Sequence, residues 1–333
     1  MFRRWEGLGP LLSTKLTELA AWLASQEWEW GVIAKHPKPT LGGRQFWADE
    51  LLFHQWRIQR NVFTGHYRLL DERNRRHAWG SYNLCRAALE RIKHSRHLPE
   101  MQGEAVLVLH GLMRSRSSME SLCRYLREEG GLQVLSLEYP STRCDIAEHA
   151  RTLRKVIDNL QGIEKIHFIG HSMGNIVIRH YLGDLKREAE AESSSSDVPK
   201  TRPSFGRFVM LAPPNSRATI ADVLADNVFF RGIAGLAGQQ LGRQWSELEK
   251  RLAVPDFPFA IIAGGKNDGR GYNPLLRCDN DGILSVDTTR LAGAAAFAVV
   301  PTLHSFIMDH SQARKLILSF LREGRFYPPL ETK

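Results

Sequence analysis

"FIGHSMGN", residues 168–175, decides how the rest of the chain is read. Phe168 and Ile169 end a short apolar run, "KIHFIG" (165–170), which reads as a buried strand. "NIVIRHYLGDLKREAE" (175–190) continues as a helix. Between them Gly170, His171, Ser172, Met173 and Gly174 fit the pattern G-x-S-x-G. In that pattern the chain turns sharply from strand to helix and holds the serine in a strained conformation, with small residues on both flanks to avoid clashes. The hydroxyl then stands above a helix N-terminus, and the N–H of the next residue, Met173, points at a developing oxyanion. The pentapeptide alone is a weak signal in a chain with 27 glycines. Its place between a strand and a helix gives it weight.

The same alternation extends outward. "EAVLVLHG" (104–111), "LQVLSLEYP" (132–140), "GRFVMLAPP" (206–214), "FPFAIIAGG" (257–265) and "AAAFAVVP" (294–301) read as strands. "SSMESLCRYLREEG" (117–130), "DIAEHARTLRKVIDNLQG" (145–162) and "SQARKLILSFLREG" (311–324) read as helices. The second starts at an Asp cap and sets Ile146, Ala150, Leu153, Ile157 and Leu160 on one face. "AESSSSDVPKTRPS" (191–204) is a polar linker. The pattern predicts an α/β fold, a mostly parallel sheet with helices on both faces. Ligands of such sheets bind at the carboxyl ends of the strands.

Four strand ends carry suitable chemistry. His110, Gly111 and Leu112 follow the first strand, and Ser172 follows "KIHFIG". A serine needs a base within reach and an orienter for that base. His304, in "PTLHSF", stands just beyond a strand and is preferred as base to His310, at the start of the last helix. Three aspartates compete as orienter. Asp281 in "NDGILS" ranks first, Asp268 in "GGKNDGRG" second and Asp279 third, and each could instead be an ordinary turn residue. "DNDG" lacks the oxygen ladder of a calcium loop, because Arg277 stands where a ligand is needed, so no metal and no cofactor are expected.

These motifs resemble those of the α/β-hydrolase superfamily, and within it the bacterial lipase and esterase group. "VLHGLM" is similar to the family's oxyanion loop, "GHSMG" to its nucleophile elbow, "NDGILS" to its acid loop and "PTLHSF" to its histidine loop. The resemblance covers about residues 104–323. It implies a Ser172–His304–Asp281 triad with Asp268 as the alternative acid, and an oxyanion hole from the N–H groups of Leu112 and Met173. It also implies a reduced sheet, and a helical cap or lid at 215–255 within a catalytic domain 101–333. His110, His171, Phe229 and Phe230 are the candidate substrate-binding residues.

The first hundred residues have no counterpart in that resemblance. Residues 1–100 are expected to form a mainly helical, basic extension that holds seven of the eight tryptophans. They carry 16 Lys+Arg against 10 Asp+Glu, which is six of the formal net charge of +9. Leu12, Leu16, Leu19 and Leu23 follow a helical period, an amphipathic stretch able to dock on its own domain or lie on a membrane. Tryptophan and basic residues together favour an anionic lipid surface. No recognisable nucleic-acid module is present and no nucleic acid is expected as a partner. No apolar run is long enough to span a bilayer. The four cysteines show no metal spacing. The expected location is cytoplasmic or peripheral to a membrane, with export left open. The expected function is hydrolysis of a carboxylic ester, lipid or acyl in nature. Acyl transfer or thioester cleavage would use the same residues, and a non-catalytic lipid- or partner-binding module is the competing class.

Overall fold

The computed structural model describes residues 31–40, 43–192, 202–216, 235–242, 244–276 and 278–327. The amphipathic stretch at 12–23 and the candidates Phe229 and Phe230 lie outside these residues.

The first described elements form an antiparallel sheet of β1 (Gly31–Pro39), β2 (Trp47–Phe53), β3 (Trp56–Asn61), β4 (Tyr67–Leu70) and β5 (Arg75–Gly80). Their order is β1-β5-β4-β3-β2. Helix α1 (Tyr82–Ser95) follows, started by Ser81, whose hydroxyl accepts from the Leu84 N–H at 3.2 Å. Among the described residues of 1–100, the mainly helical extension expected is therefore corrected to a sheet and one helix. The reason lies in period two. In "WRIQRN" Trp56 and Ile58 point to the core while Arg57 and Gln59 point away. Opposite them, Ile58 pairs with Leu69 and Gln59 with Arg68, so one face is apolar and the other polar. Arg57, Gln59 and Arg68 are nonetheless buried, which hides the alternation from a reading based on polarity.

Six parallel strands make the second sheet: β6 (Gly103–Leu109), β7 (Val134–Leu137), β8 (Ile163–His171), β9 (Ser204–Leu211), β10 (Phe259–Gly265) and β11 (Ala296–Pro301). Their order is β11-β10-β9-β8-β6-β7. Both faces are covered, and so the strands are nearly all apolar. Leu107, Leu109 and Phe168 pack with α3 (Ile146–Asp158) and α4 (Met173–Glu192). Val106, Val108 and Ile169 pack on the other side with α2 (Glu120–Glu128) and the last helix, α7 (Ser311–Glu323). Asp145 caps α3 by accepting from the Glu148 N–H at 2.7 Å. Short helices α5 (Gly235–Leu241) and α6 (Trp245–Glu249) are the described part of the helical insert.

The chain leaves β6 toward β7 and returns to pair β8 on β6's other edge. That is a topological switch point, and a crevice opens there at the carboxyl ends. "HG" of residues 110–111 and the turn at Ser172 both stand at it. The antiparallel sheet extends the same core from the β7 side, with Leu51, Leu52, Phe53 and Ile58 in one cluster with Leu135 and Leu137. Two backbone-level ties fix the seam: Asp49 N–H donates to the Glu138 carbonyl at 3.0 Å, and Glu138 N–H donates to the Asp49 carboxylate at 2.6 Å.

Candidate active site

Ser172 is the one residue between β8 and α4, and its φ is +52°, in the left-handed region. A non-glycine residue held there is strained, and such strain clusters at functional sites. The flanking glycines are required by close approach. A Cβ on Gly174 would stand 2.7 Å from the Leu109 carbonyl oxygen and 2.8 Å from that of His110. One on Gly170 would stand 2.4 Å from Asn175 Oδ1. The turn is pinned by the Ser172 N–H, which donates to the Leu211 carbonyl at 2.9 Å, and by Asn175 Nδ2, which donates to the Ser172 and Leu211 carbonyls at 3.0 and 3.1 Å. Met173 opens α4, so its N–H belongs to the first turn, where helices leave their donors without internal partners.

The β6 loop comes down on this turn. Gly111 is so close that an added Cβ would be 3.1 Å from Ser172 Cβ. Leu112 follows, then Met113 at φ +59°. Arg114 Nη2 donates to the Ser305 carbonyl at 3.0 Å, which ties this loop to the one that carries His304. His171 Nε2 lies 3.0 Å from the His304 carbonyl, acting as its donor, and the two rings are 5.0 Å apart. The residue before the serine thus holds the histidine loop.

Asp281 and His304 meet. His304 Nδ1 donates to Asp281 Oδ2 at 2.7 Å, and the His304 N–H donates to the Asp281 carbonyl at 2.9 Å. Both residues are buried. The other carboxylate oxygen of Asp281 accepts from the Ile283 and Leu284 N–H groups at 3.0 and 2.7 Å. The carboxylate is therefore fully engaged, which fixes its rotamer and orients the ring. Gly264, at the end of β10, makes room for it: a Cβ there would be 2.7 Å from Asp281 Cβ.

The rival residues lie elsewhere. Asp268 is exposed and accepts from the Gly271 and Arg270 N–H groups at 2.8 Å, a turn brace that holds its carboxyl below the usual range. Asp279 braces the next loop, accepting from Lys266 and Asn267 N–H groups at 2.8 Å. His310 stands at the start of α7. Two candidate substrate-binding residues are buried. His110 is fully buried, stacked on Tyr139 at 4.2 Å with its Nε2 3.5 Å from Glu138 Oε1. His171 is also buried, and burial with the neighbouring His304 pushes its pKa well down, so it is a neutral brace. Both were placed at the cleft because they adjoin key residues in sequence. Strand alternation turns such neighbours inward.

Asn175 and Arg114 complete the frame and were not singled out in the sequence. Asn175 has a local signal, since it directly follows the elbow. Arg114 has none, because its partner is 191 residues away. Among the described residues no group of three His, Cys, Asp or Glu side chains could hold a metal ion. No helix among them is long and apolar enough to cross a membrane.

Residues 102–215 match the family model described as "Putative serine esterase (DUF676)". No curated protein matches the sequence. Among solved structures the chain is similar to an esterase from the archaeon Pyrobaculum calidifontis, at 15% identity over 82% of this chain and 84% of that one, TM-score 0.47. It is similar to EstE1, a carboxylesterase cloned from a metagenomic library, at 14% identity over 95% and 97%, TM-score 0.45. A third is the product of gene lin2722 from Listeria innocua, at 13% identity over 68% and 95%, TM-score 0.43. The stretch that matches the esterase family model runs from β6 to β9 and contains the left-handed serine turn, within an α/β fold whose parallel sheet has the order β11-β10-β9-β8-β6-β7.

Proposed function

We propose that the protein hydrolyses carboxylic esters through Ser172, His304 and Asp281. The observation that carries this reading is the buried 2.7 Å contact of His304 Nδ1 with Asp281 at the same crevice as the left-handed Ser172. With Nδ1 engaged, His304 keeps Nε2 for the proton. In the proposed reaction Ser172 Oγ attacks the ester carbonyl and His304 Nε2 takes its proton. The N–H groups of Leu112 and Met173 receive the oxyanion, a contribution of about 3 kcal/mol per donor. His304⁺ then protonates the leaving alcohol as the C–O bond breaks. Water, activated by His304, releases the acid from the acyl-enzyme. Asp281 stays ionised throughout and stabilises the imidazolium.

An acyl chain of hydrocarbon character is the favoured substrate. Exposed apolar side chains flank each part of the site: Met113 beside Leu112, Ile283 beyond Asp281, and Leu303 and Phe306 around His304. Such a rim favours a water-poor acyl group over a charged one. Thioesters and acyl acceptors other than water use the same groups, and a substrate panel separates them.

The test is turnover of p-nitrophenyl acetate, butyrate and octanoate by wild type and Ser172→Ala side by side. Ser172→Ala is expected to fold normally and to lose activity by about 10⁴-fold or more. Retained turnover, or absence of fluorophosphonate labelling of wild type, would sink the assignment.

A further inference from the structure

The polar face of the antiparallel sheet does not face bulk solvent. It forms one wall of a cavity of about 880 Å³ whose other wall is built from α2 and the loops after β6 and β7. Seven arginines line it against three glutamates, an excess of four positive charges. They converge from separate elements. Arg57 and Arg68 stand on β3 and β4, Arg44 on the loop before β2, and Arg116 and Arg127 at either end of α2.

The glutamates account for only part of this charge. Glu120 takes Arg127 at 3.2 Å and Arg116 at 3.9 Å, and Glu72 takes Arg73 at 3.7 Å. Glu138 faces His110 at 3.5 Å. Arg44, Arg57, Arg68 and Arg143 have no carboxylate within ion-pair distance among the described residues. The carboxylate of Asp49, behind the wall, accepts from Gln59 Nε2 and from the Glu138 N–H instead. Arg57 is only 2% exposed and its Nε has no hydrogen-bond partner, nor has the buried Nε of Arg116. Burial and mutual repulsion push Arg57 down to about 10 and Arg68 down to about 9. A cluster of buried cations with fewer counter-charges than it needs costs stability. A fold keeps one where something else benefits from it.

We propose that this cavity binds a phosphate-bearing ligand. Guanidinium forks match phosphate oxygens, and a phosphomonoester offers three acceptors and close to two charges at one centre, which suits cations arriving from several directions. The lining can also take an attached organic group, because Phe46 lies in it, under Arg143 at 5.6 Å. The site joins the crevice through one loop. Arg44 donates to Ser115 and Ser117 at 3.2 and 2.7 Å, and this segment begins at Leu112. The ligand therefore sits at the far end of the loop that carries the proposed oxyanion donor.

The experiment uses full-length protein carrying Ser172→Ala, so that ester cleavage plays no part in it. Calorimetric titration with inorganic pyrophosphate and with glycerol 3-phosphate reads the soluble source. Co-sedimentation with phosphatidylcholine vesicles, with and without phosphatidic acid, reads the lipid headgroup. Binding in either arm, weakened about tenfold or more by Arg44→Gln with Arg143→Gln, is the expected result. Both of those arginines are exposed at the rim, so the variant should keep its melting temperature. No binding in either arm, or binding that the paired substitution leaves unchanged, overturns the proposal.

Discussion

The two sheets solve opposite problems. The parallel sheet buries both faces in apolar contact and brings polar chemistry only to its strand ends. The antiparallel sheet buries one apolar face and turns the other, rich in arginine, into a cavity wall. In the first, the buried carboxylate at the strand ends has defined partners, Asp281 meeting His304 and two N–H groups. In the second, positive charge exceeds its partners. The comparison teaches that a buried charge indicates geometry when it is satisfied, and a ligand when it is not.

That contrast can be broken at several points. The largest effect should follow Asp281→Asn, which keeps the shape but reverses the hydrogen-bond demand on His304 Nδ1. Ester turnover is expected to fall about 10⁴-fold with little loss of melting temperature. Asp268→Asn, in its exposed turn, should leave kcat/KM within about twofold. Equal losses in the two variants would undo the assignment of the acid.

Next is the seam between the sheets. Asp49→Ala removes a buried carboxylate behind Arg57 that also accepts from the Glu138 N–H. Urea unfolding should show a loss of about 3 kcal/mol or more, because buried cations then lose their nearest counter-charge. A change under about 1 kcal/mol would mean the arginine wall is better solvated than its burial implies.

A smaller effect concerns pH. His149, packed on Tyr139, is pushed by burial down to about 3. Its ordinary value in the unfolded chain is near 6.5, so below that pH the unfolded state binds the extra proton. Stability from neutral His149 is complete above about pH 6.5 and falls as pH drops, at up to about 1.4 kcal/mol per unit. Asp49, raised by burial, acts in the opposite sense. The quantity to measure is therefore the difference between wild type and His149→Gln from pH 7 to pH 5. Parallel pH curves for the two would contradict a buried neutral histidine.

The smallest expected effect is at the outer seam, where Lys155 Nζ on α3 meets Glu50 on β2 at 2.8 Å. Lys155 is about half exposed, so Lys155→Met should cost no more than about 0.5 kcal/mol. A loss several times larger would show that ion pairs, rather than the shared apolar core of Leu51, Leu52 and Leu137, hold the two sheets together.

Most of the parallel half was legible in the sequence, because a strand buried on both faces must be an apolar run and its helices must be amphipathic. "GHSMG" was legible for the same reason: strand, glycine, serine and helix are neighbours in the chain. The antiparallel half was not. Arg57, Gln59 and Arg68 look like a solvated face, and nothing local says that α2 and its loops roof them over.

Sequence by itself determined the strand-turn-helix order, the strained serine and the set of candidate acids and bases. It could not choose between two N-D-G loops, "KNDGR" and "NDGIL", since both are local turn formers. Only the tertiary structure decided that Asp281 stands against His304 while Asp268 faces solvent. The physical reason is that turn chemistry is local, whereas a carboxylate's partner is set by how strands distant in sequence are brought side by side.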